Sequence, residues 1–503
     1  MQTGEQKDDG RQRRHARAPH QPHARLAPSS GTKSGAKERE TMKTSDGDTR
    51  RAARIVAAAS VYWLATLVGN YAVFALTDAI AHRPGGGAYT SKTIMSLARG
   101  VAMPIGFALV LLAPVRRLAS SRDGWTRPAT LLGAGLAVAV LPNAGFALAP
   151  ADDVVIGCAT RFVGSACFSL AFCAYVSYVQ GRRASDVIMT TVTVCMMLSA
   201  PVSRVVAPLA QRWVGAGDRA MPIVVGLVVA PLVVVGAAGL CTAPGPDDAD
   251  RSARMSRHDT TAASNRRWLA RHWPLLASLA LNNMVNQAVR VVRDIFAADL
   301  LGADAPWWHW MIADVPMCLV ASGAYALLGR VVPESGHRRM LTVIHGAGAV
   351  SGAIVAAAGW MGASGLVGPL PFLVLSGVGY FVAVVPFAGG GLVFERLIAA
   401  SREPMDAVLL NAISQCVGYA GSLGVLLLAP LAADVGAYFY WSCLVGGGVL
   451  AASYACALVA IPLMLPVDGV HGAEAPPRSD ALSCRTPLAA AGAATYGTAP
   501  TLL

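Results

Sequence analysis

Twelve apolar segments follow one another along this chain, and most of them contain twenty or more residues. A helix needs about 20 apolar residues to cross the hydrocarbon core of a bilayer, and a helix pairs the backbone polar groups that lipid cannot satisfy. Charged residues make up only 14% of the chain, against about 25% in soluble domains. The sequence therefore predicts an all-α polytopic membrane protein. The predicted spans are residues 53–80, 92–114, 128–149, 153–179, 186–210, 221–242, 274–300, 306–329, 339–362, 367–394, 406–431 and 436–465.

A long polar stretch, Ala243–His272, divides the twelve spans into two sets of six. Such a division is typical of transporters that are built from two repeated halves. Both terminal tails contain few bulky apolar residues, so we expect them to be disordered. Met42, in the first tail, offers an alternative start of translation. The predicted organisation is a basic tail (1–51), a first six-helix half (52–242), a basic linker (243–272), a second six-helix half (273–465) and a C-terminal tail (466–503).

The Lys and Arg residues of the loops are distributed unevenly between the two sides of the predicted bundle. If the N-terminus is placed in the cytoplasm, roughly 17 of them fall in cytoplasmic loops and about 4 in outside loops, which is the bias that orients membrane proteins. We therefore predict that both termini are cytoplasmic. The same bias accounts for the net charge of +12, so we expect contact with membrane lipid and no nucleic-acid partner.

The seventh span carries an unusual set of polar residues. On a helix with 100° between successive residues they occupy one face about 140° wide, and the opposite face is apolar. A charged side chain in lipid costs at least ~2.5 kcal/mol, so this polar stripe must face protein or water. It either joins helices through ion pairs and amide contacts or lines a substrate path. The stripe comprises Asn282, Asn283, Asn286, Gln287, Arg290, Arg293 and Asp294.

Other spans contribute further candidates. Arg161 lies among small residues in the fourth span and could pair with Asp314 or Asp294, whereas Arg204 in the fifth span could extend outward to the membrane surface. Gln415 belongs to a mild polar face of the eleventh span with Asn411, Ser414 and Ser422, where contacts between helices are the commoner role. The predicted substrate-binding residues are Asn283, Asn286, Gln287, Arg290, Arg293, Arg161 and Gln415, and the predicted coupling or charge-pair residues are Asp294 and Asp314.

Twelve spans with a long basic central loop resemble the major facilitator superfamily. The loop Gly329–Arg339 is similar to the short loop motif of that superfamily, because its two glycines lie seven residues apart and a basic pair follows. It lacks the Asp and Arg that the motif places between the glycines. The matching loop of the first half keeps only the basic pair, Arg116 and Arg117. The resemblance implies a bundle of two six-helix halves.

A closer resemblance lies in the second half. Four segments look like those of a facilitator-like membrane-protein family known only as a domain of unknown function, and the resemblance covers about residues 52–465. It implies the facilitator fold and brings no established substrate. The segments are Arg290–Phe296, Asp314–Pro316, Val384–Ala399 and Gly418–Gly424.

The seventh span is also similar to that of organophosphate–phosphate antiporters, in which an Asn precedes an Arg and an Asp follows it. Asn283, Arg290 and Asp294 occupy those places. Those antiporters carry a further Arg in the first span, which the segment Gly69–Ala75 lacks. Candidates for that role in other spans are Arg99, Arg161 and Arg204.

Patterns of cofactor and enzyme chemistry are not found in the sequence. It has no nucleotide-binding glycine motif, no Cys/His spacing typical of zinc and no nucleophile–base pattern. We therefore predict a protein that is not an enzyme and has no cofactor. Arg290 and Arg293 would attract an anion, so we predict a secondary transporter that moves a small polar and anionic solute by alternating access between its two halves, with an ion as a candidate co- or counter-transported partner. The alternative is a membrane sensor or scaffold that has this fold and does not transport.

Overall fold

The structure is a computed structural model of the 503-residue chain. By contacts the chain divides into Met1–Arg50 and Arg51–Leu503, and the second unit forms the helical bundle. The expected disorder of residues 1–30 and 468–503 falls outside the described residues, whereas residues 31–50 are helical. The structure describes residues 31–75, 91–112, 126–148, 155–179, 185–215, 217, 219–243, 261–302, 305–332, 336–388, 391–403, 405–432 and 434–467.

The described residues form helices, and no strand is present among them. This architecture confirms the predicted all-α class. Helices α1–α6 form the first half of the bundle and α7–α13 the second. The first half contains α1 (Gly31–Tyr71, continued by a 3-10 turn Ala72–Ala75), α2 (Ser91–Val110), α3 (Thr126–Leu148), α4 (Val155–Val179), α5 (Ser185–Val214) and α6 (Met221–Thr242). The second half contains α7 (Ala262–Leu301), α8 (Trp307–Val331), α9 (His337–Ala363), α10 (Pro369–Ala388), α11 (Gly391–Ser401), α12 (Ala407–Leu428, continued by a 3-10 turn Ala429–Leu431) and α13 (Val435–Met464).

Eleven of the described helices are long and apolar enough to cross a membrane. The predicted seventh span, 274–300, lies within α7, which is not one of the eleven because polar residues interrupt its apolar sequence. The predicted tenth span, 367–394, is divided in the structure, since α10 ends at Ala388 and the short helix α11 begins at Gly391. The twelve predicted spans therefore correspond to eleven apolar helices and the polar helix α7.

Helix α7 is the longest helix of the second half. Its 40 residues measure about 60 Å at 1.5 Å per residue, twice the thickness of the hydrocarbon core, which is about 30 Å. Near its N-terminal end, Trp268 is buried and donates a hydrogen bond of 3.0 Å to the hydroxyl of Ser401. Arg271 forms an ion pair with Glu403. These contacts hold the first turns of α7 against the end of α11.

The first half is organised around a buried aromatic cluster. The indole of Trp63 on α1 meets Phe168, Phe172 and Tyr175 of α4 edge-on, with ring centroids 5.5–5.9 Å apart. Edge-to-face contacts are a preferred arrangement of aromatic rings and stabilise beyond the area that they bury. The cluster fixes α1 against α4.

In the second half, α9 and α13 approach closely through glycine. A Cβ atom added to Gly352 would lie 2.9 Å from the carbonyl oxygen of Gly447, and one added to Gly447 would lie 2.7 Å from the carbonyl oxygen of Gly352. Small residues permit such backbone contact between membrane helices. We therefore expect α9 and α13 to behave as one packed pair.

Among the described residues, the two halves contact each other most extensively through α2 with α12 and α5 with α8. Phe107 of α2 stacks on Tyr419 of α12 with ring centroids 6.5 Å apart. The thiol of Cys416 on α12 donates to the carbonyl oxygen of Pro104, a contact of 3.4 Å. The side chains that join the halves here are mostly apolar or weakly polar.

Candidate functional site

The polar stripe of α7 faces other helices of the protein. Its Asn, Gln and Arg side chains are at most 5% exposed, and the side chain of Asp294 is 22% exposed. Because the stripe is wide, its residues reach different neighbours. The first turns of the stripe contact α12 and α13, and the later turns contact the first half and the helices α8 and α10.

The uncharged part of the stripe joins helices within the second half. The amide nitrogen of Asn283 donates 2.7 Å to the carbonyl oxygen of Ser414, and the amide of Gln287 donates 3.5 Å to the side-chain oxygen of Gln415. The hydroxyl of Ser453 donates to the side-chain oxygen of Asn282. These contacts are those expected of polar residues that hold membrane helices together.

Arg290 crosses from the second half to the first. One terminal nitrogen donates 2.8 Å to the hydroxyl of Tyr71 on α1 and 3.2 Å to the carbonyl oxygen of Met196 on α5. Its Nε lies 3.5 Å from the carboxylate of Asp294, one turn later on α7. The hydroxyl of Tyr71 in turn donates to the same carboxylate at 3.3 Å. Arg290, Asp294 and Tyr71 therefore form one buried polar cluster between the halves.

Two further arginines approach this cluster. Arg99 of α2 donates 3.1 Å to the hydroxyl of Tyr71, and its guanidinium carbon lies 5.0 Å from the centroid of the Tyr71 ring. Arg204 of α5 donates 2.6 Å to the backbone carbonyl of Asp294 and lies 4.2 Å from the centroid of the Trp310 ring. Arg204 thus faces protein groups, which differs from the predicted outward extension to the membrane surface.

Arg293 is enclosed by the second half. It donates 2.6 Å to the carboxylate of Asp314 on α8, and on α10 it donates 2.7 Å to the hydroxyl of Ser376 and 3.0 Å to the carbonyl of Leu373. Its guanidinium also lies 5.7 Å from the centroid of the Tyr380 ring. These bonds join α7, α8 and α10, so the geometry favours a structural role for Arg293.

Arg161 is 1% exposed and lies in the first half. One terminal nitrogen donates 2.6 Å to the carbonyl oxygen and 2.8 Å to the side-chain oxygen of Asn70. The partner seen is therefore Asn70 of α1, the residue next to Tyr71, whereas the sequence suggested Asp314 or Asp294. Those two aspartates contact Arg293 and Arg290 respectively.

Positive charge exceeds negative charge around the cluster. The charged side chains described in this site are five arginines and two aspartates, a formal excess of three positive charges. Arg99 carries the same charge as Arg290 and Arg161, and like charges repel each other. An anion would relieve this repulsion. The arginines are Arg99, Arg161, Arg204, Arg290 and Arg293, and the aspartates are Asp294 and Asp314.

A cleft opens beside Tyr71, between the two halves. Its volume, including the part open to solvent, is about 370 Å³. Arg99 and Asp294 are the charged groups in its lining. The first half contributes Tyr71, Ser96, Arg99 and Gly100, and the second contributes Val291, Asp294, Ile295, Tyr419, Ser422 and Leu426.

The structure brings some predicted site residues together and separates others. Arg290 and Asp294 lie at the cleft or directly behind it, whereas Arg293 with Asp314 and Asn283 are directed to other helices. The lining residues Tyr71 and Tyr419 were absent from the predicted site. Arg99 is one of the three arginines that the sequence offers in place of the missing first-span arginine, and its position in an apolar span is the signal for it.

Among the described residues, no group of three His, Cys, Asp or Glu side chains could hold a metal ion. The nine cysteines described are free thiols. Cys416 and Cys195 contact backbone carbonyls of neighbouring helices.

The cleft offers a guanidinium, a carboxylate, hydroxyl groups and apolar surface for recognition of a ligand.

Comparison with known proteins gives a family and a fold. A family model described as a family of unknown function, DUF5690, matches residues 102–465. A proton:xylose symporter of the major facilitator superfamily, XylE, solved with 6-bromo-6-deoxy-D-glucose, matches with a TM-score of 0.54 and 13% identity over 83% of this chain and 97% of its own. The human organic anion transporter MFSD10 matches with a TM-score of 0.53 and 13% identity over 81% of this chain and 99% of its own. No curated protein matches the sequence. The chain therefore shares the major facilitator fold.

Proposed function

The chain belongs to the family of unknown function DUF5690, and from its facilitator fold and its charged cleft we propose that it is a secondary transporter of a small anionic solute. The observation that carries the proposal is the position of the cleft. It lies between the two halves, and its lining includes residues of both. In a two-halved transporter, the substrate site lies at the interface of the repeats.

The sign of the charge on the proposed solute is inferred from the charged residues around the cleft. Arg99 lies in its lining and Arg290 lies directly behind Tyr71, while Asp294 already contacts both Arg290 and Tyr71. An anion beside Arg99 would gain a charge-assisted hydrogen bond and would offset the repulsion between neighbouring guanidinium groups. The proposed binding residues are therefore Arg99, Arg290 and Tyr71.

Alternating access is supported by the kind of contact that joins the halves around the cleft. Tyr71 of the first half accepts a hydrogen bond from Arg290 of the second half. This bond can break and be replaced by a bond to another partner when the halves move. The Arg293–Asp314 pair lies within the second half and joins α7 firmly to α8. We propose that each half moves as a packed unit and that the Tyr71 contacts are remade during the cycle. Asp294 is the candidate for a coupling role because it faces both the cleft and Arg290.

The other predicted residues receive supporting roles. The contacts of Asn283 and of Gln287 with Gln415 hold α7 against α12, and Arg161 fixes Asn70 beside Tyr71. Asn286 is fully buried on the same stripe. In this proposal these residues position the site, Arg99 contacts the solute, and Arg290 adds positive charge from behind Tyr71.

Uptake by proteoliposomes tests the proposal. Purified protein is reconstituted, and the accumulation of labelled acetate, succinate, sulfate, benzoate and glucose is compared with that in protein-free liposomes. We expect uptake of at least one of the anions, and inhibition of that uptake when the same unlabelled anion is added. Uptake of glucose alone would contradict the anionic class. Absence of uptake for every solute, with folded protein, would favour the sensor or scaffold alternative.

A further inference from the structure

The lining of the cleft is mostly apolar and aromatic, and such a lining favours a solute that has an apolar part. Val291, Ile295 and Leu426 supply aliphatic surface, and the rings of Tyr71 and Tyr419 supply aromatic surface. Small-molecule sites with such walls recognise apolar parts of a ligand, and the few polar groups set its orientation. A solute that is hydrated over its whole surface would lose water here without compensation.

The aromatic walls are fixed in place. The ring of Tyr419 is stacked on Phe107 behind it, and the ring of Tyr71 lies under the guanidinium of Arg99. Both tyrosines are at most 3% exposed. Rigid aromatic side chains offer contact area without a large loss of side-chain entropy on binding. Neighbouring side chains therefore hold both rings in place in the lining of the cleft.

The polar groups of the cleft differ in whether other residues of the protein already bind them. Asp294 is engaged by Arg290 and Tyr71, and the hydroxyl of Ser422 donates to the carbonyl oxygen of Gln287. For Arg99, no carboxylate partner is seen among the described residues, and its contacts are with Tyr71 and Tyr419. A guanidinium can donate two parallel hydrogen bonds to a carboxylate. The cleft thus offers one cationic group that has no carboxylate partner among the described residues, together with apolar walls.

Resting on the proposed transport of an anion, we propose that the solute is an amphipathic organic monoanion, a carboxylate attached to a small apolar or aromatic body. The carboxylate binds Arg99, and the body lies between Tyr419 and the aliphatic residues of α7 and α12. Tyr419 and Leu426 are then specificity-determining residues, and Arg99 is the residue that binds the charge.

A set of matched probes tests this inference. Benzoate has both the charge and the ring, acetate has the charge without the ring, benzyl alcohol has the ring without the charge, and sulfate is a fully hydrated dianion. Binding to purified protein is measured as thermal stabilisation over a range of probe concentrations. We expect benzoate to bind at least about tenfold more tightly than acetate, because the apolar area of a ring is buried. We expect weaker binding of benzyl alcohol than of benzoate.

Variants separate the two parts of the site. Arg99→Gln should reduce benzoate binding strongly and leave benzyl alcohol binding nearly unchanged. Leu426→Ala should weaken the binding of benzoate severalfold and leave the binding of acetate unchanged. Leu427→Ala is the matched control, because Leu427 is the next residue of α12 and is 52% exposed on the outer surface of the bundle. It should bind benzoate like the unchanged protein.

The outcomes distinguish this inference from the proposed function. If sulfate or acetate binds as tightly as benzoate while anion uptake persists, the amphipathic class is wrong and anion transport stands. If benzyl alcohol binds as tightly as benzoate, the role of Arg99 in binding charge is wrong. If no anion is taken up in the liposome assay, transport itself is wrong, whatever the probes bind.

Discussion

Arg290 and Tyr71 lie in different halves of the bundle, and the guanidinium of Arg290 donates a hydrogen bond of 2.8 Å to the hydroxyl of Tyr71. The same hydroxyl accepts a hydrogen bond from Arg99 and donates one to Asp294. One oxygen atom therefore connects three charged side chains from α2 and α7. Any change in the relative position of the halves must break or rearrange these bonds, which makes Tyr71 the first residue to test.

We predict that Tyr71→Phe lowers uptake more than it lowers stability. The substitution keeps the ring but removes the hydroxyl that orients both arginines, and loss of hydrogen bonds to charged groups costs about 1.5–3 kcal/mol. Uptake by proteoliposomes and thermal stability in detergent are the measurements. Tyr62→Phe is the control, because the hydroxyl of Tyr62 donates 2.7 Å to the carbonyl of Leu131 within the first half. Equal loss of uptake in both variants would refute the role of Tyr71.

Replacement of Arg290 separates substrate binding from structure. Arg290→Lys keeps the charge beside Asp294, so we expect most of the stability to remain, but it loses the planar fork, so apparent affinity for the anion should fall. Arg290→Ala leaves the carboxylate of Asp294 without this partner, which costs on the order of 3–5 kcal/mol. Uptake and thermal stability are measured together for both variants. Normal uptake by the alanine variant would exclude a substrate role.

The Arg293–Asp314 pair should behave as a structural pair. We expect Arg293→Met or Asp314→Leu alone to destabilise the protein by about 3–5 kcal/mol, because each leaves a buried charge without its partner. The double variant Arg293→Met/Asp314→Leu should recover part of that loss, since apolar replacement of a buried pair is often tolerated. Thermal unfolding in detergent provides the comparison. Single variants as stable as the unchanged protein would show that the pair contributes little.

The orientation of the bundle remains a prediction from loop charge. Position 258, between the sixth and seventh spans, should be cytoplasmic, and position 304 should not. Cysteines introduced at these positions, in a background without native cysteines, are treated in intact cells with a reagent that does not cross the membrane. We expect modification at 304 and protection at 258. Modification at 258 and protection at 304 would show that the orientation is the opposite of the predicted one.

The fold was predictable because its determinants are local in sequence. Apolar length identifies most spans independently of the others, and the structure confirms the all-helical bundle among the described residues. The division of the predicted tenth span at Ala388 and Gly391 was not foreseen. The sequence there remains apolar on both sides of the break, so a hydropathy pattern does not mark it.

The site was less accessible to prediction because it depends on which helices meet. Periodicity showed that Arg290 and Arg293 share a face of α7. It did not show that Arg290 reaches Tyr71 of the first half while Arg293 is enclosed by α8 and α10. Tyr71 and Tyr419 are ordinary aromatic residues in apolar spans, and only their position at the cleft distinguishes them.

Helix α7 has one further consequence, which concerns how the protein can be observed. At about 60 Å it is too long for the hydrocarbon core alone, and its first turns are fixed to the end of α11 through Trp268 and Ser401. Its early turns therefore form a rigid epitope of the second half, well separated along the helix from Arg290 and the cleft. An antibody fragment raised against the surface around Arg271 and Glu403, both of which are exposed, would enlarge this small membrane protein for electron microscopy without occupying the site. A fluorophore carried by such a fragment would follow the motion of that half.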